Sequence, residues 1–309
     1  MSASVGHSED YFGDYRDHWW NADFLALIGE RLKLRDCRNV LDVGSGLGHW
    51  TRLLLPLLAP DARLSMIDGD PKWVQAGRTW IEQPQFASRE FDTTQGLADA
   101  LPYPDASFDL VTCQTLLIHV SHPVAVLNEM HRVLSPGGLL LCTEPDNLAT
   151  WSEQSSSLSS RQTLDEAAAA YRFTLAMHRG RMALGLGDNA FGDRLPHHVK
   201  QAGFSGVQTW LSDKVVALNP PYASEDQQAV IRDTVEWFES SPDFSRDESL
   251  RQYVAGGGDK FEFDGHWMRE LQSRRAYLDS LREGTFDSAS GVLMYVVAGR
   301  KPNVAASST

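Results

Sequence analysis

Three glycines, Gly44, Gly46 and Gly48, occupy alternate positions directly behind the short apolar run NVLDV. Glycine allows the chain to turn tightly, and its bare backbone lets a ligand lie against the N–H groups at the start of a following helix. An acidic residue, Asp68, ends the next apolar run twenty residues beyond Gly48, where it is placed to bind ribose hydroxyls. Together these residues indicate a site for an adenosine-containing cofactor.

The spacing of the glycines bears on the kind of cofactor. The dinucleotide fingerprint requires a glycine at the third position after Gly46, and that position is His49. The sequence therefore argues against pyrophosphate binding at this turn.

The elements that must position these residues alternate between strands and helices. Continuous apolar runs predict buried parallel strands, and the helical patterns between them predict crossovers. The strands are expected at NVLDV, RLSMID, SREFD, FDLVTCQ, LLLCTE, VQTWLSDKVVAL and GVLMYVVAGRKP. We expect an α/β fold with a Rossmann-like, doubly wound seven-stranded sheet, an N-terminal helical lid and a helical insertion before the last strand. Such sheets bind ligands at the carboxyl ends of their strands.

The same patterns predict the organisation of the chain. The expected parts are a helical lid at 1–38, a core at 39–222 with a flexible serine-rich loop at 150–162, a helical insertion that caps the substrate at 223–285, a closing strand at 286–302 and a disordered tail at 303–309.

The composition limits the partners. The chain has 309 residues and a formal net charge of −13, and so acidic a surface repels nucleic acid and anionic membranes unless a basic patch is present. We find no such patch in the sequence, and we expect neither a signal peptide nor a membrane span. Cys37, Cys113 and Cys142 lack metal-ligand spacing and indicate free thiols in a cytoplasmic protein. We expect no metal, no nucleic acid and no membrane partner, and the sequence leaves the oligomeric state open.

Four successive motifs resemble those of one enzyme family. VLDVGSGLGHW, MIDGDP, GLADALPYPDASFDLV and EMHRVLSPGGLLLCTEP are similar, in this order, to motifs of class I S-adenosylmethionine-dependent methyltransferases, in the branch of ubiquinone and menaquinone biosynthesis enzymes. The resemblance is close over about residues 39–146 and looser over GDRLPHHVKQAGF and the last two strands. It implies S-adenosylmethionine as the cofactor and S-adenosylhomocysteine as the product.

The resemblance also implies which residues bind the cofactor. They are Asp42, Gly44, Gly46 and Gly48 at the methionine end, Asp68 at the ribose, Gly69, Leu97 and Ala98 at the adenine, and Gln114 along the cleft. One position departs from the pattern, because the family often has an acid where this chain has Leu97. Adenine recognition must then use the backbone or Asp99.

Aromatic residues near the N-terminus are candidates for substrate binding. Tyr11, Tyr15 and Trp19 follow helical spacing, with Trp20 beside them. They form either an amphipathic helix packed on the core or an aromatic lid over the sulfonium and the substrate, with cation–π contacts of about 0.5–2 kcal/mol each. N-terminal lids are common in methyltransferases that resemble this chain, so we expect at least one of these aromatics to serve the site.

Two titratable residues follow the strands that border the predicted site. His119 lies just past the fourth strand and is either the base that accepts a proton near neutral pH or an ordinary loop residue. Glu144 ends the fifth strand and either orients a substrate amine or hydroxyl or stabilises the turn before Pro145.

Three functions are compatible with the sequence. The leading hypothesis is transfer of a methyl group to an N, O or C atom of a small molecule, in specialised metabolism. The first alternative is a methyltransferase for protein or RNA, although the acidic charge argues against RNA. The second is a protein that binds the cofactor without transferring the methyl group.

Overall fold

The computed structural model describes residue 16 and residues 19–83, 89–153, 159–240 and 245–303. The helices of this part of the chain are α1 (Ala22–Leu32), α2 (His49–Leu54), α3 (Pro71–Ile81), α4 (Pro123–Val133), α5 (Asn147–Glu153), α6 (Leu164–Ala183), α7 (Leu195–Gln201), α8 (Glu225–Ser240), α9 (Arg246–Ala255) and α10 (Phe263–Arg282). The strands are β1 (Asn39–Val43), β2 (Arg63–Asp68), β3 (Phe91–Gln95), β4 (Phe108–Gln114), β5 (Leu134–Pro145), β6 (Ser205–Leu211), β7 (Val216–Leu218), β8 (Ser288–Ser290) and β9 (Met294–Arg300).

The predicted doubly wound, Rossmann-like α/β sheet is confirmed. Seven strands pair in the order β3-β2-β1-β4-β5-β9-β6. The first five strands of the chain run parallel, and β9 runs antiparallel between β5 and β6. The strand order reverses between β1 and β4, and open sheets of this type bind ligands beyond the carboxyl ends of the strands at such a reversal.

The central strands are continuous apolar runs in the sequence because the side chains on both of their faces are buried. Leu41 on β1, Val111 on β4 and Leu140 on β5 are fully buried, and all three belong to one core with Leu127 and Met130 of α4. Covering both faces of a parallel sheet removes the polar alternation seen in half-exposed strands. Each such side chain contributes about 1.5–3 kcal/mol of transfer free energy.

Two strands differ in extent from the sequence prediction. β5 begins at Leu134 rather than at LLLCTE, because Leu134 pairs with Phe108 of β4 before the register shifts. The run VQTWLSDKVVAL, predicted as one strand, divides into β6, which pairs with β9, and β7, which pairs with β8 in a separate two-stranded sheet.

The chain divides into two compact units. The sheet unit comprises Trp20–Pro145, Phe191–Asp213 and Met294–Thr309, and the helical unit comprises Met1–Trp19, Asp146–Ala190 and Lys214–Leu293. The expected core at 39–222 therefore differs from the sheet unit, since Asp146–Ala190 groups with the later helices.

Close packing within the helical unit explains this grouping. Helices α6 and α9 cross so tightly that a Cβ added at Gly180 would lie 1.7 Å from the carbonyl oxygen of Gln252. Aromatic side chains from α6, α9 and α10 form a core of their own, which consists of Phe173, Tyr253, Phe263 and Trp267. The segment that contains α6 is therefore held by the helices that precede the last strand.

Some expectations fall partly or wholly outside the described residues. Tyr11 and Tyr15 lie outside them, as do residues 154–158 of the expected serine-rich loop and all but the first residue of the expected tail. The flanks of that loop are helical, because α5 extends to Glu153 and a 3₁₀ turn covers Ser159–Arg161. The roles of 1–38 as a lid and of 223–285 as a substrate cap stay predictions.

Two further expectations concern membranes and metals. Where the structure describes the chain, no helix combines the length and the apolar character needed to cross a membrane. The same residues contain no cluster of three or more His, Cys, Asp or Glu that could hold a metal ion.

Candidate cofactor site

The turn between β1 and α2 requires glycine at each of the three predicted positions. Gly44, Gly46 and Gly48 have φ angles of 69°, 53° and 78°, in the left-handed region that other residues rarely adopt. The turn is fastened to the end of β2, because the N–H groups of Gly44 and Ser45 donate to the carbonyl oxygen of Ile67 at 2.8 and 3.1 Å. Gly48 then caps α2. The backbone of this turn therefore lies at the carboxyl ends of β1 and β2.

Two of the glycines are also sites of close packing. A Cβ at Gly44 would lie 2.7 Å from Cδ1 of Leu116, and one at Gly48 would lie 2.7 Å from Cε of Met66. Leu116 belongs to the segment after β4, so the glycine turn and that segment touch directly. A larger residue at either position would push against Leu116 or Met66 as well as strain the backbone.

Asp68, the residue predicted to bind ribose, also holds the glycine turn. Its Oδ2 accepts the N–H of Gly46 at 3.0 Å, and its Oδ1 accepts the N–H of Asp70 at 3.0 Å. The residue is buried, with 6% of its surface exposed. Each carboxylate oxygen can accept more than one hydrogen bond, so these backbone contacts are compatible with binding to ribose hydroxyls. A carboxylate fixed at the end of β2 beside a turn of bare backbone fits the ribose of an adenosine compound.

Asp42 joins β1 to α2 beneath the same turn. Its Oδ2 accepts a hydrogen bond from Oγ1 of Thr51 at 2.6 Å, and only 3% of the residue is exposed. This contact fixes the first turn of α2 relative to the strand. A contact between Asp42 and the methionine end of the cofactor stays a prediction.

The segment after β3 forms the neighbouring wall. The N–H of Gly96 donates to the carbonyl oxygen of Asp68 at 3.0 Å, which joins the segment to the end of β2. Leu97 lies beside Gly69, with Cδ2 3.7 Å from the position of a Cβ on that glycine, and 63% of Leu97 is exposed. Gly69 and Leu97 therefore lie beside the end of β2, and contact of Gly69, Leu97 and Ala98 with an adenine stays a prediction.

The end of β4 turns sharply after Gln114. Gln114 is buried, and Thr115 adopts a left-handed φ of 51° before a short 3₁₀ turn over Leu117–His119. The N–H of His119 donates to the carbonyl oxygen of Leu116 at 3.0 Å, and the residue is half-buried. His119 therefore lies in a turn that begins at the carboxyl end of β4 and follows Leu116, the residue that packs on Gly44.

Glu144 holds this 3₁₀ turn from the end of β5. Its carboxylate accepts the N–H groups of Leu116, Leu117 and Ile118 at 2.9, 2.8 and 3.3 Å, and the residue is fully buried. Burial raises the pKa of Glu144 to about 7, while the backbone hydrogen bonds oppose that rise. These contacts hold the turn after β4, which is a role that the sequence did not predict. The two expected roles, contact with a substrate and stabilisation of the turn before Pro145, stay predictions.

Trp20 packs on the helix that follows the glycine turn. Its ring centroid lies 5.2 Å from that of Trp50 on α2, and it stacks on Phe24 at 6.3 Å. Trp50 in turn donates its indole N–H to Oγ1 of Thr112 on β4 at 2.7 Å. The sequence analysis did not predict that Trp50 links Trp20 to β4. Its position in HWT, two residues after the third glycine, places it in the first turn of α2 beside the glycine turn.

Trp19 differs from its neighbour in its surroundings. It belongs to the helical unit, whereas Trp20 belongs to the sheet unit. The guanidinium of Arg16 lies over the ring of Trp19, 5.7 Å from its centroid.

A cleft of about 370 Å³ lies at the opposite end of the strands. Its lining includes Asn39, Arg63, Phe91 and Phe108, the first residues of β1, β2, β3 and β4. Ligands of doubly wound sheets bind at the carboxyl ends, so this cleft is separate from the candidate cofactor site.

Comparison with known proteins identifies the segment that carries the site. Residues 41–142 match the family model described as a methyltransferase domain. This segment is a methyltransferase domain. The demethylmenaquinone methyltransferase of Listeria welshimeri is 32% identical over 136 residues, which cover 43% of this chain and 55% of that protein. The enzyme of the same name from a Geobacillus species is 30% identical over 125 residues, or 40% and 51% of the two chains.

These matches confirm, for this part of the chain, the expected methyltransferase domain similar to that of the menaquinone and ubiquinone branch. The chain spans about half the length of these curated relatives.

Some solved structures are also similar to this chain, at low sequence identity. The YcgJ protein of Bacillus subtilis has a TM-score of 0.48 and is 15% identical, over 91% of this chain and 99% of its own. Haemonchus contortus phosphoethanolamine N-methyltransferase 2, in complex with S-adenosyl-L-methionine, has a TM-score of 0.48 at 13% identity, over 96% of this chain and 56% of that chain.

Proposed function

We propose that this protein is an S-adenosylmethionine-dependent methyltransferase that acts on a small molecule. The observation that carries the proposal is the hydrogen bond from Gly46 to Asp68, which fixes a turn of three left-handed glycines beside a buried carboxylate. That arrangement lies at the reversal of strand order, within the segment that matches the methyltransferase domain.

Different residues would bind different parts of the cofactor. The glycine turn and Asp42 would hold the methionine end, Asp68 the ribose, and Gly69, Leu97 and Ala98 the adenine, with Gln114 along the cleft. When bound, S-adenosylmethionine supplies a methyl group already activated by its sulfonium. The protein then has to align the acceptor and exclude water, and most of its contribution to the rate would come from these two effects.

The acceptor is assigned only by class. The relatives are named for demethylmenaquinone, but the matched family model ends at residue 142, before the helical segment that starts at Asp146. We infer that residues beyond this match select the acceptor, a small molecule methylated at N, O or C in specialised metabolism. Free thiols at Cys37, Cys113 and Cys142 support the cytoplasmic location that we propose with it.

Two residues of the sheet unit are proposed to face the acceptor. His119 would accept a proton if the nucleophile is a hydroxyl or a protonated amine. The buried indole N–H of Trp20 has no hydrogen-bond acceptor among the described residues. Buried donors are normally hydrogen-bonded, so a ligand that supplies an acceptor here would be stabilised. Trp19, Tyr11 and Tyr15 stay proposed substrate contacts on the sequence pattern alone.

A turnover assay with methyl-labelled S-adenosylmethionine tests the proposal. Purified protein is incubated with the labelled cofactor and a pool of small phenols, amines and quinols. Label recovered in a small product, with stoichiometric S-adenosylhomocysteine, is the expected result. Label found only in added protein or RNA would favour the macromolecular alternative, and cofactor binding without any transfer would favour the non-transferring one.

A further inference from the structure

An ion pair on α4 holds the segment that links β3 to β4. Arg132 and Glu129 form a two-point contact, with Nε to Oε1 and Nη2 to Oε2 both at 2.8 Å. The pair then binds both backbone groups of Leu101, whose N–H donates to Glu129 at 2.8 Å and whose carbonyl accepts from Arg132 at 2.9 Å. Nη1 of Arg132 also donates to the carbonyl oxygen of Tyr103 and to Oδ1 of Asp105, each at 2.8 Å.

Arginine is needed for this set of contacts. Its planar guanidinium presents donors in several fixed directions, and Arg132 uses them on the carboxylate of Glu129, on two carbonyls and on the carboxylate of Asp105. A lysine has a single ammonium and cannot reach all of these acceptors at once. The hydrogen bonds from Arg132 also lower the pKa of Glu129, so the carboxylate stays ionised and able to accept.

The held segment begins at the proposed adenine wall. Gly96 is joined to Asp68 by its N–H, and the N–H of Ala100 donates to the carbonyl oxygen of Leu97 at 3.2 Å. The stretch 97–98 therefore lies between two anchors, Asp68 on one side and the ion pair of α4 on the other. The side chains of Leu97 and Ala98 have no polar atoms, so only their backbone can hydrogen-bond to a base.

Resting on the proposed function, we propose that Glu129 and Arg132 are positioning residues that set the recognition of adenine. They fix the backbone of Leu97 and Ala98 so that its polar groups meet the edge of the base. The pair would act on the cofactor only through this backbone. Loss of the pair should therefore reduce the preference for adenine over other bases. The affinity that comes from the ribose and the amino-acid part, which such ligands share, should change less.

The test compares two ligands that differ only at one edge of the purine. S-adenosylhomocysteine has an amino group at position six, and S-inosylhomocysteine has a carbonyl there. We expect Arg132→Lys to raise the Kd of S-adenosylhomocysteine by roughly 3- to 10-fold, the scale of one hydrogen bond, and to leave the Kd of S-inosylhomocysteine nearly unchanged. The ratio of the two Kd values then moves toward one. Glu129→Gln should move it in the same direction and serves as a second variant if Arg132→Lys folds poorly.

Arg300→Lys is the matched control. Arg300 donates to the carbonyl oxygens of Gly137 and Leu32 at 3.0 and 3.3 Å, so it is another arginine that holds backbone, away from the Leu97 segment. The control should change the melting temperature without changing the ratio. Leu97→Asp, which adds an acceptor at this exposed position, should restore the ratio in the Arg132→Lys background.

The outcomes separate this inference from the proposed function. Wild-type protein that binds neither ligand would contradict both. Wild-type binding with an equal loss for both ligands, or with no change in either variant, would overturn the positioning role and leave the methyltransferase proposal standing.

Discussion

The Oδ2 atom of Asp68 lies 3.0 Å from the backbone nitrogen of Gly46, so the carboxylate proposed to bind ribose also holds the turn proposed to bind the methionine end. The two halves of the cofactor site are therefore coupled through one side chain. A substitution at Asp68 removes an acceptor and loosens the turn, whereas a substitution in the turn can act without altering the acceptor.

The first prediction uses that coupling. Asp68→Ala should weaken binding of S-adenosylhomocysteine by roughly 10- to 100-fold, because charged hydrogen bonds contribute about 1.5–3 kcal/mol. Asp70→Ala is the control, since Asp70 caps α3 by accepting the N–H of Lys72 at 2.8 Å. Removing that cap should cost about 0.5–2 kcal/mol of stability and leave affinity intact. Calorimetric titration of both variants checks this, and equal affinities would remove Asp68 from the site.

The second prediction concerns the glycine turn. Gly46→Ala forces a side chain into a left-handed φ of 53° and should cost about 1–2 kcal/mol of stability together with most of the cofactor affinity. Gly257→Ala is a matched control, because Gly257 has a φ of 91° and open space around it. The control should lose similar stability by chemical denaturation but no affinity. Parallel losses of affinity in the two variants would show that the effect is global destabilisation.

The third prediction concerns the buried carboxyl group that holds the turn after β4. The pKa of Glu144 is about 7 in the folded protein against an ordinary value of 4.5. Between these values the folded state binds more protons than the unfolded state. This group therefore makes stability fall as the pH rises from 4.5 to about 7, and it contributes no further slope outside that window.

The size of this effect follows from the shift, which corresponds to about 3 kcal/mol. The free energy of unfolding is measured with denaturant at about pH 5 and at about pH 7.5, which together span most of the window. Its difference between the two pH values should be smaller for Glu144→Gln than for the wild type. Identical pH effects in the two proteins would contradict the assignment.

The fourth prediction concerns the base. His119→Ala should retain cofactor affinity and lose roughly 100-fold or more in rate, the usual scale for removing a general base. A carbon or neutral-amine acceptor needs little or no base, and the loss would then be only a few-fold. The turnover–pH profiles of the two proteins decide between these cases. A wild-type profile that is flat between about pH 6 and 8, around the ordinary pKa of histidine, would exclude His119 as the base.

The parts of the site that the sequence predicted are those encoded over short stretches. The apolar run of β1, the glycines behind it and Asp68 at the end of β2 can be recognised because strand burial and turn chemistry are local properties. The capping box of α6, in which Thr163 and Glu166 bind each other's backbone, is also local, because its two residues are three positions apart.

The parts that escaped prediction depend on contacts between distant segments. Glu144 ends an apolar strand, and nothing near it in the sequence reveals that three N–H groups some 26 to 28 positions earlier converge on its carboxylate. The hold of Arg132 on Leu101 and Tyr103 spans a similar distance. Only the packing of α4 and β5 against the segments after β3 and β4 brings these groups together.

Titration of the wild-type protein with S-adenosylhomocysteine tests the central claim most directly, because it probes the cofactor site without requiring the acceptor. Isothermal calorimetry should show saturable binding at one site per chain, weakened in Asp68→Ala and retained in Asp70→Ala, with no comparable binding of NAD. Tight binding of NAD, or no binding of S-adenosylhomocysteine to folded protein, would contradict the assignment of this site.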